Sequence, residues 1–411
     1  MGNLKKYFNL PKSIYILFLA RIINSIGSFV YPLLAILLTV KLGFSEEVSG
    51  RITTIAITAG GLGMLIGGKL ADKFGRKKVM VASSLLGAAS FIICAFLGTS
   101  RNIVFAIIAG NFFSIAQWPI VNAMVTDQTN KANRQNAFSL LYLGTNIGMA
   151  IGPLMAGFLI NRHLVLFFLI DAITTVVSLI PVMIFVKETL PTDKQTQLIN
   201  ENDMERAEEG SVVTALFKRP LLVIFTIVSI IYTLVYAQYS FGLPLFVNNV
   251  LGIIKGPKIY GSLMTVNAIV VILFTLFVIS FMGRIKPIIN IVIAGILFAF
   301  GFGMLYFSKF IFLFVISTFI WTLGEIIFTV NSSVVIANNS PISHRGRFNA
   351  VISFVQESGY AIAPLLTGLF IAHWDIQNLW WLIFLISLTG SILMFSLFLL
   401  ERHKRKKIKI S

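Results

Sequence analysis

Four charged residues stand inside stretches that are otherwise apolar: Arg21, Asp171, Glu325 and Glu357. A charge in hydrocarbon costs at least ~2.5–3.5 kcal/mol at the centre of a span, so each is a candidate for handling an ion, a proton or a ligand. Glu325 is the foremost. It lies in Thr322-Leu323-Gly324-Glu325-Ile326, near the middle of a long apolar run, with Gly324 leaving room beside it. A carboxylate there exchanges a proton as its access to water changes, which is the chemistry of proton coupling. The competing reading is a neutral Glu satisfied by Asn331 or a backbone carbonyl. Glu357 and Arg21 each lie on the order of 10 Å into their runs from the same side, at 1.5 Å per residue. They share a level at which they could pair, and Arg21 could equally extend its head to the headgroups.

The elements that must hold these residues are membrane spans. A chain of 411 residues that is 57% hydrophobic, 13% aromatic and only 12% charged exceeds what a soluble core can hide. Twelve apolar runs are long enough to cross about 30 Å of hydrocarbon: 14–38, 52–71, 79–98, 102–125, 138–160, 164–186, 221–243, 260–281, 287–307, 309–337, 349–371 and 379–400. The expected class is therefore all-α integral membrane. Most of the 33 Lys and Arg fall on one side if both termini are cytoplasmic, which sets that orientation in a cell membrane. The net charge of +17 and the tail Arg402-His403-Lys404-Arg405-Lys406-Lys407 then read as topology and contact with anionic lipid, not as nucleic-acid binding. Lys5, Lys6 and Lys12 precede a first run too long for a secretory signal, so it is expected to stay as a helix. Cys94 is the single cysteine and the four His, at 163, 344, 373 and 403, are scattered. No metal-ligand spacing, phosphate-binding loop or nucleophile elbow is present, so neither an enzyme nor a metal or cofactor site is expected.

The chain repeats itself. Arg134-Gln135-Asn136-Ala137 matches Arg347-Phe348-Asn349-Ala350, and Gly148-Met149-Ala150-Ile151-Gly152-Pro153-Leu154-Met155-Ala156-Gly157 matches Gly359-Tyr360-Ala361-Ile362-Ala363-Pro364-Leu365-Leu366-Thr367-Gly368. Six spans duplicated give an N-terminal bundle 1–186, a polar linker 187–220 carrying Glu201, Asp203, Glu205, Glu208 and Glu209, a C-terminal bundle 221–401 and a basic tail 402–411. Parallel halves with a substrate site between them are the plan of one large class of secondary transporters.

Between the second and third runs lies Gly68-Lys69-Leu70-Ala71-Asp72-Lys73-Phe74-Gly75-Arg76-Lys77-Lys78. Gly68 would allow close helix approach, Gly75 a tight turn, and the basic residues would hold the loop at the cytoplasmic face. This loop resembles the signature Gly-x-Leu-Ala-Asp-Lys/Arg-x-Gly-Arg-Lys of the major facilitator superfamily. The resemblance implies twelve helices in two parallel-repeat bundles, with Asp72 meeting the other half near the start of the eleventh helix to latch the cytoplasmic side. Gly144, Gly148, Gly152, Pro153 and Gly157 resemble an element associated with the superfamily's exporters, and plain helix packing is the alternative. The segment around Glu325 is similar to that of LmrP-like multidrug transporters, in which the matching Glu recognises substrate or couples protons. Those transporters also carry an acid at the place of Asp127, which could help close the cytoplasmic gate or be a solvated helix end. In this fold the sixth span packs at the periphery, which ranks Asp171 below the other acids.

The chain also departs from its resemblances. The run 102–125 carries no Arg, which removes the proton relay of many drug:proton antiporters, and 138–160 and 221–243 carry no acid. A neutral, zwitterionic or singly charged substrate fits better than a dication. Asn24, Tyr31, Gln117, Trp118, Tyr232, Tyr236, Gln238, Trp321 and Asn331 are the expected cavity lining, since aromatic walls with a few polar groups suit amphipathic ligands. The expected activity is proton-coupled export of lipophilic or amphipathic drugs by a monomer. The alternative is a dedicated exporter or flippase of one endogenous solute such as a metallophore, sugar or lipid.

Overall fold

Helix is the only regular structure among the described residues, because a chain in lipid must satisfy its own N–H and C=O groups within each segment. The computed structural model describes residues 10–130, 133–190, 219–282, 284–339 and 345–410, and within these it does not describe some side chains, 345–351 among them. In chain order the helices are α1 Lys12–Gly27, α2 Glu46–Phe74, α3 Arg76–Leu97, α4 Ile103–Asp127, α5 Arg134–Arg162, α6 Leu164–Phe185, α7 Pro220–Tyr236, α8 Gly242–Met282, α9 Pro287–Gly303, α10 Ile311–Asn339, α11 Arg345–His373 and α12 Ile376–Ile410. Local chemistry marks several ends. Ser45 caps α2 by accepting from the Val48 N–H at 3.3 Å, with Glu46 and Glu47 in the first turn where the helix dipole favours acids. Pro220 and Pro287 open α7 and α9, where a missing N–H is harmless.

Among the described residues ten stretches are long and apolar enough to cross a membrane, against the twelve expected. Two local features account for the difference. The seventh and eighth expected runs merge into one stretch, Pro220–Thr275, because the 3-10 turn Ala237–Tyr239 leads from α7 almost directly into α8 and helical geometry resumes at once on either side of Gly252, whose φ of 79° only a glycine adopts freely. The first expected run is interrupted: α1 ends at Gly27, Ser28–Leu33 is irregular, and a short turn Leu34–Ile36 leads into a π turn Leu37–Lys41. Many large apolar side chains face outward, such as Phe96 at 86% exposure and Phe105 at 75%, as a bilayer-facing surface requires.

By internal contacts the chain forms two units. Unit 1 is Met1–Lys194 with Leu243–Ile269, and unit 2 is Gln195–Gly242 with Val270–Ser411. In unit 1, α1 packs on α5 and α6, and α3 on α4 and α6; in unit 2, α7 packs on α11 and α12, and α9 on α10 and α12. The two units thus use the same pairing order, in step with the sequence repeat. Most of the expected linker, 191–218, lies outside the described residues.

Candidate functional site

In unit 1 the glycines of α5 turn toward α1. A Cβ on Gly144 would stand 2.9 Å from the Phe18 ring, one on Gly148 would overlap Ser25, and one on Gly152 would be 2.9 Å from the Ser25 and Ile26 carbonyls. Further along, Gly157 abuts Pro257, Gly261 abuts Pro153, Thr265 Oγ1 donates to the Ala150 carbonyl at 2.6 Å and Asn161 Nδ2 to the Ile253 carbonyl at 2.7 Å, all within unit 1. The stripe therefore serves two neighbours in turn. The close approach expected at Gly68 falls elsewhere: no described atom lies within 4 Å of a Cβ there, whereas Gly60, Gly63 and Gly67 abut α4. One residue is about 100° of rotation on a helix, which turns Gly68 off the contact face.

The loop between α2 and α3 is built around a turn and two acids. Gly75 adopts φ 107°, a backbone conformation that favours glycine, and a Cβ there would stand 2.6 Å from Glu188 Oε2 and push that carboxylate aside. Arg76 reaches Asp127 at the end of α4, Nε to Oδ2 2.9 Å, with both side chains 14% exposed. Asp72 is 3.8 Å from Arg76 and 72% exposed, so Asp127 is the enclosed partner. Arg134 turns back to donate to the Thr126 and Thr129 carbonyls, each at 3.3 Å, filling the carbonyl end of α4. The side chains 341–351, where the expected latch of Asp72 would fall, lie outside those described.

Glu188 went unnoticed in sequence because it stands alone beside a polar linker. Its Oε1 accepts from the N–H groups of Arg76 at 2.8 Å, Lys77 at 3.3 Å, Thr189 at 2.9 Å and Leu190 at 3.2 Å, which places an anion on the first turn of α3. Partial burial raises its pKa, but the four donors outweigh that and hold it below the ordinary value.

Asp171, ranked low in sequence, is 7% exposed, and its Oδ2 accepts from the Phe29 and Val30 N–H groups at 3.0 and 3.2 Å. Those donors belong to the interruption after α1, so an acid on α6 caps the resumed helix from across the bundle. The signal was available in Gly27 and Pro32, which together mark a helix break. Nearby, Asn24 donates to Thr175 at 3.1 Å, Ser84 to Gln117 at 3.1 Å, and the Arg21 guanidinium lies 4.8 Å from the centre of the Trp118 ring. Arg21, Asn24 and Gln117 line a cavity of about 30 Å³, room for ordered water. Tyr31 sits in the interruption itself.

In unit 2 the structure gathers Glu325 with aromatics. The Tyr236 hydroxyl interacts with the Glu325 carboxyl, and the Tyr236 ring packs against Tyr239 at 4.8 Å, Phe298 at 6.1 Å and Trp321 at 6.2 Å. Trp321 also stacks on Phe302 at 5.5 Å and on Tyr239 at 6.0 Å. Tyr360 extends the polar thread, its hydroxyl standing 3.2 Å from that of Tyr239 and 3.0 Å from that of Ser240, and Glu357 is exposed one turn before it on α11. Tyr239 and Tyr360 were missed. Tyr360 had a signal, since the second copy of the repeat puts this tyrosine where the first has Met149.

Other expected lining residues do different work in this structure. Asn331 accepts from Asn290 at 2.8 Å and donates to the Ile327 carbonyl at 2.8 Å, joining α9 to α10. Gln238 accepts from Thr367 at 3.0 Å, joining α7 to α11. Tyr232 is 2% exposed and stacks on Phe328 at 5.2 Å. Among the described residues no cluster of His, Cys, Asp and Glu could hold a metal ion.

The sequence matches the Major Facilitator Superfamily over residues 17–296 and 255–411, nearly the whole chain. The chain belongs to the major facilitator superfamily. It is accordingly a multi-pass membrane transporter with the major facilitator fold. It is 22% identical over 82% of its length, and 84% of the relative's, to a Na(+), Li(+), K(+)/H(+) antiporter of Planococcus maritimus. It is 29% identical over 51% of its length, and 52% of the relative's, to a class H tetracycline resistance protein of Pasteurella multocida. A solved peptide transporter in complex with sulfate superposes with a TM-score of 0.78 at 16% identity, covering 96% of this chain and 95% of that one, which is a likeness of fold alone.

Proposed function

We propose that this chain is a proton-coupled exporter of lipophilic or amphipathic compounds, with Glu325 as the acid that binds and releases the proton. The observation that carries the reading is Glu325 interacting with the hydroxyl of Tyr236, whose ring packs with Tyr239, Phe298 and Trp321. A mid-span carboxyl beside a hydroxyl can take up a proton when dry and give it up when water reaches it. The aromatic faces suit a flat apolar body or a single positive charge. Glu357 and Arg21 are the further coupling candidates. Asp72, Gly75, Arg76 and Asp127 are the gating elements, acting at a cytoplasmic face, with both termini cytoplasmic in a cell membrane and the protein working as a monomer built of two repeated bundles.

The test is dye efflux in inverted vesicles energised by a pH gradient, comparing the native chain with Glu325→Gln. Gradient-driven dye movement that Glu325→Gln abolishes is the expected result. Equal movement in both would remove Glu325 from coupling, and no dye movement in the native chain would overturn drug export. The cation/proton antiporter relative supports one other reading, exchange of alkali cations for protons. Proton release driven by added Na(+) or K(+) in the same vesicles, without dye movement, would replace the first reading with the second.

A further inference from the structure

Unit 2 carries a cavity of about 200 Å³ where the start of α7, the start of α9, the end of α10 and the end of α12 converge, at the end from which the basic tail leaves. Leu221, Ile288, Val335 and Phe398 form its apolar wall, and Lys286 and Arg402 its basic rim, with Glu401 the one acid among the lining residues. Lys286 lies with its ammonium 5.2 Å from the centre of the Phe398 ring. Beside the mouth, Arg219 donates to the Asn339 carbonyl at 2.6 Å and adds a third cation at the same level.

We infer that this cavity binds the headgroup of an anionic phospholipid. Size speaks against a drug-sized ligand, which occupies ~300–1,000 Å³. Position speaks for a lipid, because helix ends lie at headgroup depth and basic pockets between spans at that depth suit phosphate. The apolar wall separates a lipid from free phosphate: an acyl chain continues along it, and Ile224, one turn on from Leu221, is 41% exposed toward the surface such a chain would follow. The excess of cations over the single acid favours an anionic headgroup over a zwitterionic one.

The experiment titrates the full-length protein in mild detergent with phosphatidylglycerol, phosphatidylethanolamine or inorganic phosphate, and counts bound lipid by native mass spectrometry. Phosphatidylglycerol is expected to bind in preference to phosphatidylethanolamine and to resist excess inorganic phosphate. Lys286→Gln with Arg402→Gln should weaken that binding at least about tenfold, given the attraction each basic residue exerts near a membrane surface. Val335→Trp, which fills the cavity without altering charge, should weaken it as well, and Lys309→Gln, outside the cavity, should not. Arg402 is exposed, so Arg402→Gln alone reads the charge term should either other variant fail to fold. Equal phosphatidylglycerol binding by native and charge-removed chains, equal retention of phosphatidylethanolamine, or displacement by inorganic phosphate would each overturn the inference.

Discussion

Asp171 and Glu325 are both acids set within spans, and the protein satisfies them in opposite ways. Asp171 on α6 takes two backbone N–H groups of the interrupted first helix, so it is bound to groups that have no other partner and cannot leave without exposing them. Glu325 on α10 is met by a side-chain hydroxyl, that of Tyr236, whose ring packs against Trp321. An intramembrane acid is thus not functional by its placement alone. What answers the acid decides whether it is part of the frame or able to exchange its partner.

The comparison breaks most directly at Asp171. Asp171→Ala leaves two buried N–H groups unanswered, at ~1–3 kcal/mol each, and is expected to lower the melting temperature in detergent and the yield of folded protein. Glu325→Gln should leave melting close to native while removing gradient-driven transport. If the two variants exchanged these effects, the assignment of frame and exchangeable acid would be reversed. Gly148→Leu tests the same frame from the other side, because the added side chain has no space against Ser25 and overpacking costs ~1–3 kcal/mol; thermal melting should fall whichever substrate is offered.

Smaller effects sharpen the contrast. Tyr236→Phe removes the hydroxyl that meets Glu325 and keeps the ring, so transport is expected to fall less than in Glu325→Gln, with melting near native. Glu188→Gln should have the smallest effect, since Glu188 is exposed. Its pKa is held low in the folded chain, so its stabilisation is complete above the ordinary carboxylate value of ~4.3 and is lost as pH falls through the lower folded value. Melting curves of native and Glu188→Gln protein should differ by a constant small amount near neutral pH and converge below about pH 4. A gap that widened on acidification would contradict the capping role.

Much of the frame was legible in the sequence because it depends on one segment at a time. Apolar runs mark spans through the thickness of the bilayer, and Gly75 marks a turn through its own backbone freedom. Sequence reasoning placed Glu325 mid-span with Gly324 leaving room beside it, yet could not select its partner. It offered Asn331, which the structure commits to Asn290, and passed over Tyr239 and Tyr360. Asp171 was undervalued because the break that needs it lies on another helix, far away in the chain.

The sequence by itself determined the class, most of the spans, the internal repeat and the charged turn after α2, since these follow from composition, periodicity and local backbone chemistry. Only the tertiary structure decided that Arg76 is enclosed with Asp127, that Glu188 caps α3, that Asp171 holds the broken first helix and that Gly67 rather than Gly68 admits its neighbour. The physical reason is the same in each case. A residue's type fixes what it needs, but the packing of helices distant in sequence fixes which group supplies it.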